Sequence, residues 1–337
     1  MTLYLITKVF NVFDPHEALR PGDPRYVECN VERGSVGLLN TLARQVRRST
    51  GRTCQLLSGH RGCGKTTELF RLQQDFLINE PRHFVVYCEA DQYIDLNDTE
   101  YTDVLLAVVQ QLWTDAKRED IRLEPGKLKS FVDDLKGILT APVEPKDIEF
   151  EVGIAKLGLE IKKNPDNRHL VRERLRPRAT TFLEAVNEII PNAENIFKTK
   201  GYSGLVIIVD NLDRVFRNRV PNTHHTSHDA LFVDAGDYLR SVACDMIYTV
   251  PPALLYSPNG AKLPGLYGTQ PQVLPMIPVT TRTGNVHQEG MAKLVETIEK
   301  RLVHVDTPLN ATFDSEQTVR QLCTVSGGYV RSLMILA

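Results

Sequence analysis

This 337-residue sequence has almost no net charge and no closely spaced pair of cysteines. Lysine and arginine number 40 against 42 aspartates and glutamates, which leaves a formal net charge of −2. No overall basic bias therefore indicates a nucleic-acid-binding protein. The six cysteines include no CxxC pair. That spacing excludes a typical cysteine metal site, and scattered cysteines favour a reducing cytosol.

Long apolar runs are missing as well. The longest, VLLAVV from Val104 and LVIIV from Leu205, are far shorter than the roughly 20 residues that a membrane-crossing helix needs. The first residues lack the basic leader, apolar stretch and cleavage site of a secretory signal. We therefore expect a cytoplasmic protein with no membrane partner.

The chain does contain short apolar segments that alternate with amphipathic ones. The apolar segments predict strands, and apolar positions at helical spacing predict the helices between them. The predicted strands cover residues 54–58, 83–90, 205–210, 245–250 and 272–279. Alternating strands and helices favour an α/β fold with a parallel sheet covered on both faces and a small helical domain behind it.

Residues 117–200 differ in character from the segments around them, because they are charged and mostly helical in pattern. We interpret them as an insertion in the core fold and expect them to contact a protein partner. Part of the insertion shows period-two alternation, which predicts a β-hairpin. The alternating residues are Ile148, Phe150, Val152 and Ile154, followed by Leu157, Leu159 and Ile161.

The strongest motif is GHRGCGKTT, which contains the full G-x4-G-K-[ST] pattern of a phosphate-binding loop. Glycines let backbone N–H groups curl toward phosphate oxygens, and the following helix presents its positive N-terminal end. In this pattern the lysine reaches the terminal phosphates and the next hydroxyl binds Mg²⁺. The predicted nucleotide contacts are Gly59, His60, Arg61, Gly62, Cys63, Gly64, Lys65, Thr66 and Thr67.

A second acidic motif follows an apolar strand, in VIIVDNLDRV. Asp210 ends the strand and is the predicted carboxylate for Mg²⁺, together with Thr66. Asn211 occupies the position where many ATPases carry a catalytic glutamate, and an amide has no useful proton affinity. Asp213 is predicted to position the attacking water, with an ion pair to Arg214 as the alternative role.

Together the two motifs resemble the additional-strand branch of the P-loop ATPases. The D-x-h-D-R form, Asp210 to Arg214, is similar to the STAND and KAP signalling ATPases and to their AAA+ relatives. The resemblance implies a P-loop NTPase core, ATP and Mg²⁺ as cofactors, and slow hydrolysis with switch behaviour. KAP proteins carry membrane helices inserted in this domain, and the 117–200 insertion contains none.

The C-terminal segment resembles the helical lid of AAA+ ATPases, particularly the origin-recognition type, through its SGG-x-x-R element. The resemblance implies that Arg331 folds back onto the nucleotide; the alternative is an exposed arginine after a Gly-Gly turn. It also implies that Thr249 senses the γ-phosphate, or is a buried threonine bonded to the backbone. The sequence does not decide which arginine would be donated to the nucleotide site of a neighbouring subunit. The candidates are Arg214, Arg217, Arg219, Arg240, Arg282 and Arg301.

These observations predict three segments, namely a lead-in (1–50), the ATPase core (51–285) and the lid (286–337). The lid ends inside an amphipathic pattern, so we expect a further domain to follow. The leading hypothesis is a slowly hydrolysing regulatory ATPase that changes conformation or oligomeric state with nucleotide. The alternatives are a DNA-loading or remodelling AAA+ ATPase, with DNA the less favoured partner, and a small-molecule kinase that uses the arginine-rich segment RHLVRERLRPR.

Overall fold

The computed structural model describes residues 3–137 and 150–337. Its strands are β1 (Cys54–Ser58), β2 (His83–Glu89), β3 (Gly204–Asp210), β4 (Asp245–Val250) and β5 (Gln272–Val273). The helices of the first half are α1 (Leu3–Val12), α2 (Leu38–Arg48), α3 (Lys65–Ile78), α4 (Ala90–Tyr93), α5 (Tyr101–Arg118), α6 (Leu128–Lys136), α7 (Phe150–Lys163), α8 (Pro165–Leu175) and α9 (Ala179–Thr199). The second half contains α10 (Ser227–Asp229), α11 (Gly236–Arg240), α12 (Pro252–Leu255), α13 (Leu263–Tyr267), α14 (Gln288–His304), α15 (Leu309–Thr312), α16 (Glu316–Val325) and α17 (Val330–Leu336).

The sheet has five strands in the order β2-β3-β4-β1-β5. Strands β2 and β3 are parallel, with a register that runs from His83 opposite Gly204 to Glu89 opposite Asp210. Strand β4 is parallel to β3 and lies between it and β1. One strand therefore separates the phosphate-loop strand from the strand that ends at Asp210. This order confirms the predicted α/β fold of the additional-strand P-loop type.

The chain divides into two compact units. The first comprises residues 1–42, 58–74 and 272–337, and the second comprises residues 43–57 and 75–271. In the first unit, α1 and the C-terminal helices share an apolar core whose buried members include Val12, Phe13, Leu294, Ile298 and Leu333. In the second unit, β1 to β4 and the helices of the insertion share the larger core. Each unit thus buries its own apolar cluster.

The hairpin predicted at 148–161 is wrong over the described residues, because residues 150–163 form helix α7. Ile148 lies outside the described residues. The apolar pattern fits both periods, and burial shows which one applies: Ile154, Leu157 and Ile161 are buried at helical spacing, whereas Leu159 is 48% exposed. These buried side chains join the larger core, which favours the helix over an isolated hairpin.

A further difference concerns the length of a strand. The strand predicted at 272–279 is confined to two residues, since Pro275 and Pro278 lack the N–H groups that a sheet ladder requires. Within the two described stretches, no helix is both long and apolar enough to cross a membrane.

Candidate nucleotide-binding site

The phosphate loop leaves strand β1 at Ser58, whose carbonyl oxygen accepts a hydrogen bond from the Leu274 N–H at 2.8 Å. Gly62 and Gly64 have φ values of 88° and 99°, a region that side-chain-bearing residues rarely occupy. Helix α3 starts immediately afterwards, at Lys65. The loop therefore presents its backbone at a helix N-terminus, which is the arrangement that binds phosphate.

Lys65 lies over this loop and is largely buried. Its Nζ donates to the carbonyl oxygens of Gly59 at 2.7 Å and His60 at 3.1 Å. A buried ammonium group requires such acceptors, and phosphate oxygens are acceptors of the same kind. Thr66 lies in the first turn of α3, and the Thr67 hydroxyl accepts a bond from the Leu19 N–H at 3.2 Å.

The SGG-x-x-R element contacts the same loop through both backbone and side chains. The Arg331 N–H donates to the Gly62 carbonyl oxygen at 3.2 Å, and Arg331 Nε donates to the Pro15 carbonyl oxygen at 3.1 Å. The rings of Tyr329 and His60 meet edge to face with centroids 5.8 Å apart. The start of helix α17 is therefore packed against the phosphate loop within the first unit.

Arg33 is a further cation beside the loop. A Cβ added at Gly64 would lie 3.8 Å from Arg33 Nη2. The Nε of Arg33 is buried and has no hydrogen-bond partner among the described residues. A buried donor without a partner is costly, and an anion held at the loop would satisfy it. The residues present thus fit a phosphate-bearing ligand.

The segment before α2 contains Tyr26. The guanidinium carbon of Arg71 lies 4.3 Å from its ring centroid, and its hydroxyl donates to Glu68 at 3.0 Å. Tyr26 also lines a cavity of about 400 Å³ with Arg71 and Lys300. Both of these cations pair with carboxylates, Arg71 with Glu68 and Lys300 with Glu296.

In the second unit, Asp210 ends strand β3 and is fully buried. Its carboxylate accepts hydrogen bonds from the Tyr87 hydroxyl at 2.9 Å and from the Asn211 N–H at 2.7 Å. Tyr87 has no sequence motif around it and was not identified from the sequence. These two donors hold Asp210 in one orientation, as a metal-binding carboxylate requires.

Asn211 has a structural role at the position where a glutamate is missing. Its φ of 68° is left-handed, a conformation that asparagine tolerates better than glutamate does. Its Nδ2 donates to Asp91 Oδ1 at 2.8 Å, and Arg214 Nη1 pairs with Asp91 Oδ2 at 3.0 Å. Asn211 and Arg214 therefore fix a carboxylate, Asp91, that the sequence pattern did not reveal.

Asp213 lies half-buried in the turn Leu212–Arg214. The Thr249 hydroxyl, fully buried at the end of β4, accepts a hydrogen bond from the Leu212 N–H at 3.1 Å. It also lies 3.4 Å from the Val209 carbonyl oxygen. Thr249 is thus bonded to the backbone of the segment around Asp210. A phosphate-sensing role for Thr249 and a water-positioning role for Asp213 stay predictions.

The arginine-rich segment 168–178 forms ion pairs rather than a lid of unpaired cations. Arg168 pairs with Asp95 and Asp98 at 3.0 and 2.9 Å. Arg172 pairs with Asp98 at 2.7 Å and with the buried Asp103. These contacts join α8 to the segment that leads into α5.

The polar loop before α10 contains the histidines of the HHTSH sequence. His228 Nε2 lies 2.8 Å from the Val215 carbonyl oxygen, and His225 Nδ1 lies 2.7 Å from Asp234 Oδ2. No cluster of three histidine, cysteine, aspartate or glutamate side chains within residues 3–137 and 150–337 could hold a metal ion.

Two of the arginines that are candidates for donation to a neighbouring subunit, Arg214 and Arg301, have partners within their own units. Arg214 pairs with Asp91. Arg301 is buried and donates to the Thr297 carbonyl oxygen at 3.1 Å, and burial lowers the pKa of its guanidinium to about 10. A residue that is buried in its own subunit cannot extend into a neighbouring one, so Arg301 does not suit that role.

No protein-family model matches this chain, and no curated protein matches it. Among solved structures, one similar chain is the ORC2 protein of Aeropyrum pernix, whose structure contains ADPNP and ADP complexes. The two chains are 13% identical and superpose with a TM-score of 0.46. The match covers 96% of this chain, which spans 64% of the length of the ORC2 chain. At this level of similarity the functional assignment rests on the geometry of the site itself.

Proposed function

We propose that this chain binds ATP on the loop from Gly59 to Thr67 and hydrolyses it slowly. We further propose that the position of helix α17 depends on the bound nucleotide. One observation carries the proposal: the Arg331 N–H bonds directly to Gly62 in the middle of the loop. A change in the loop on nucleotide binding would act on that helix without an intermediary. Nucleotide binding shifts the equilibrium between two positions of helix α17 only by the difference between its binding free energies to those two states.

The loop residues have separate tasks in this proposal. Lys65 exchanges the carbonyl oxygens of Gly59 and His60 for oxygens of the terminal phosphates. Arg33 and Arg331 add permanently charged guanidinium groups, which suit phosphate because they donate in a fixed fork. Thr66 and Asp210 are the proposed oxygen ligands of Mg²⁺, which supplies charge that offsets the phosphate oxygens.

Slow hydrolysis follows from the residue after Asp210. Asn211 cannot accept a proton from water, and its amide is already bonded to Asp91. A regulatory ATPase tolerates such a site, because the lifetime of the bound state rather than the turnover rate carries its signal. We propose self-association as its readout, with residues 117–200 as the contact for a protein partner.

The direct test is equilibrium binding of ATP, with and without Mg²⁺, to the wild type and to Lys65→Ala. We expect thermal protection by ATP in the wild type and its loss in the variant. Asp210→Asn should retain the nucleotide but lose Mg²⁺-dependent phosphate release. Unchanged ATP binding in Lys65→Ala would contradict the proposed site.

A DNA-loading or remodelling ATPase is the second candidate. The element that resembles an origin-recognition lid, Ser326 to Arg331, does contact the phosphate loop. The net charge of −2 provides no general attraction to DNA. ATP turnover with and without duplex DNA, together with the salt dependence of DNA binding, separates the candidates. Stimulation of turnover by DNA would favour this one, and no effect would favour the regulatory ATPase.

A further inference from the structure

The cavity of about 400 Å³ that contains Tyr26 in its wall lies wholly within the first unit. Its volume is within the range of small-molecule sites. The wall is built from the segment before α2, from helix α3 and from helix α14. Three cations, one carboxylate, one aromatic ring and one amide line it, namely Arg20, Arg71, Lys300, Asp23, Tyr26 and Gln74.

Arg20 supplies a positive charge that no carboxylate neutralises. Its side chain forms no ion pair with any residue in the ranges 3–137 and 150–337. The guanidinium carbon lies 3.6 Å from the centroid of the Phe70 ring, which holds the group in place. A guanidinium on a ring face directs its N–H donors sideways, in its own plane. These donors therefore stay available to an acceptor in the cavity.

Arg71 is the second cation of the wall and is fixed from the side away from the cavity. It pairs with Glu28 and Glu68, each at 3.1 Å, neither of which lines the cavity. Its guanidinium carbon also lies 4.3 Å from the Tyr26 ring centroid. The five donors of a guanidinium exceed these contacts. Arg71 is thus held in position while it adds positive charge to the wall.

Lys300 and Asp23 complete the charged part of the wall. Lys300 Nζ donates to the Tyr26 carbonyl oxygen at 2.8 Å and pairs with Glu296 at 3.4 Å. Asp23 pairs with Arg25 at 2.7 Å and accepts from the Arg25 N–H at 2.9 Å. Hydrogen bonds from Arg25 lower the pKa of the Asp23 carboxyl. The wall therefore offers an ionised acceptor beside its cations.

From this arrangement we propose that the cavity binds a sugar phosphate, a phosphate monoester with free hydroxyl groups. The phosphate accepts from Arg20 and Lys300, because an anion relieves the repulsion between cations that face one space. The sugar hydroxyls donate to Asp23 and accept from the exposed Gln74 amide, since a hydroxyl uses both kinds of partner. This ligand is additional to the nucleotide proposed for the phosphate loop.

The cavity lies at a different level of helix α3 from the phosphate loop. Lys65 begins this helix, and Arg71 and Gln74 follow it along the same helix. At a rise of about 1.5 Å per residue, these two positions are about 9 and 14 Å from Lys65 along the helix axis. Substitution of Lys65 therefore tests the loop without changing the lining of the cavity.

The experiment measures binding of ribose 5-phosphate to the full chain by titration calorimetry, in the wild type and in Lys65→Ala. A phosphate held on the loop would be lost in this variant, whereas one held in the cavity would stay. We expect Kd values within about twofold of each other, as for independent sites. Ribose, which lacks the phosphate, should not bind.

Two substitutions then locate the ligand. Gln74→Glu places a carboxylate in the wall from an exposed position and should raise the Kd for ribose 5-phosphate by about tenfold or more. Gln73→Glu is the matched control, because it introduces the same charge on α3 outside the cavity lining. Its Kd should stay within about threefold of the wild type. Arg20→Gln should weaken binding, and Arg20→Lys should recover part of it by retaining the charge.

The outcomes separate this proposal from the proposed function. No binding of ribose 5-phosphate at millimolar concentration would overturn the sugar-phosphate site, as would binding that is lost in Lys65→Ala. Equal Kd values for Gln74→Glu and Gln73→Glu would place the ligand elsewhere. Displacement of ribose 5-phosphate by ATP in the wild type would make the cavity part of the nucleotide site and also overturn the proposal. A wild-type chain that does not bind ATP contradicts the proposed function and leaves the Lys65→Ala result valid.

Discussion

The main-chain N–H of Arg331 donates to the carbonyl oxygen of Gly62 at 3.2 Å, which fixes the start of the last helix to the middle of the phosphate loop. The contact is close on the side-chain side as well, because a Cβ added at Gly62 would lie 2.7 Å from Arg331 Cβ. A movement of the loop of a few tenths of an ångström would therefore be transmitted to helix α17.

Gly62→Ala should weaken both folding and ATP binding. The substitution places a side chain at a φ of 88° and against Arg331, and we expect a loss of about 2–3 kcal/mol in the free energy of unfolding. Gly34→Ala is the matched control, since its φ is 67° and nothing lies within 4 Å of the added Cβ. It should cost about 1 kcal/mol and leave the ATP affinity unchanged. Urea denaturation and ATP titration measure both effects, and equal ATP affinities in the two variants would contradict the role of this contact.

Arg331→Ala should keep the backbone hydrogen bond and remove the guanidinium group. We expect ATP affinity to fall by about tenfold, which corresponds to about 1.4 kcal/mol, with loss of ATP-dependent protection of α17 from proteolysis. Arg320→Ala provides the comparison, because Arg320 pairs with Glu316 within α16. Limited proteolysis in the presence of ATP or of ADP measures the protection of α17. Identical digestion patterns in Arg331→Ala and the wild type would argue against a nucleotide-dependent helix.

Arg172→Ala should strongly destabilise the second unit. Arg172 is buried and pairs with Asp98 and the buried Asp103, and its removal leaves a buried carboxylate without its cation. Such losses cost about 3–5 kcal/mol. Arg174 lies two positions away and pairs with Asp134 at 2.8 Å with a half-exposed side chain. Arg174→Ala should leave the denaturation midpoint nearly unchanged, and similar midpoints for the two variants would contradict the inferred importance of the buried pair.

His228 should make stability fall as the pH is lowered. Burial lowers the pKa of its imidazole below the ordinary value near 6.5, because the charged form is desolvated there. The unfolded chain therefore binds the proton first, so the stabilising contribution is complete above about pH 6.5 and is lost as the pH falls toward the folded-state pKa. His228→Gln retains an amide that can donate to the Val215 carbonyl oxygen, and it should flatten the decrease in Tm between pH 7 and pH 5. A parallel decrease in both proteins would assign the effect to other groups.

Local patterns predicted much of the fold. The strands expected at 54–58 and 245–250 have those bounds in the structure, because a short apolar run between turns is compatible with few alternatives. The segment at 150–161 was predicted incorrectly, because its apolar residues satisfy a period of two and a helical period equally well. Packing against the core of the second unit selected the helix.

The sequence by itself determined the phosphate loop and the acidic strand end, since both depend on residue types within about ten consecutive positions. Only the tertiary structure decided what surrounds them. Tyr87 and Asp210 are 123 positions apart in the chain and meet because β2 and β3 pair in parallel register. The same register places Glu89 opposite Asp210, and the turn after β3 brings Asn211 and Arg214 to Asp91. Such contacts depend on strand order and register, which single-sequence periodicity does not specify.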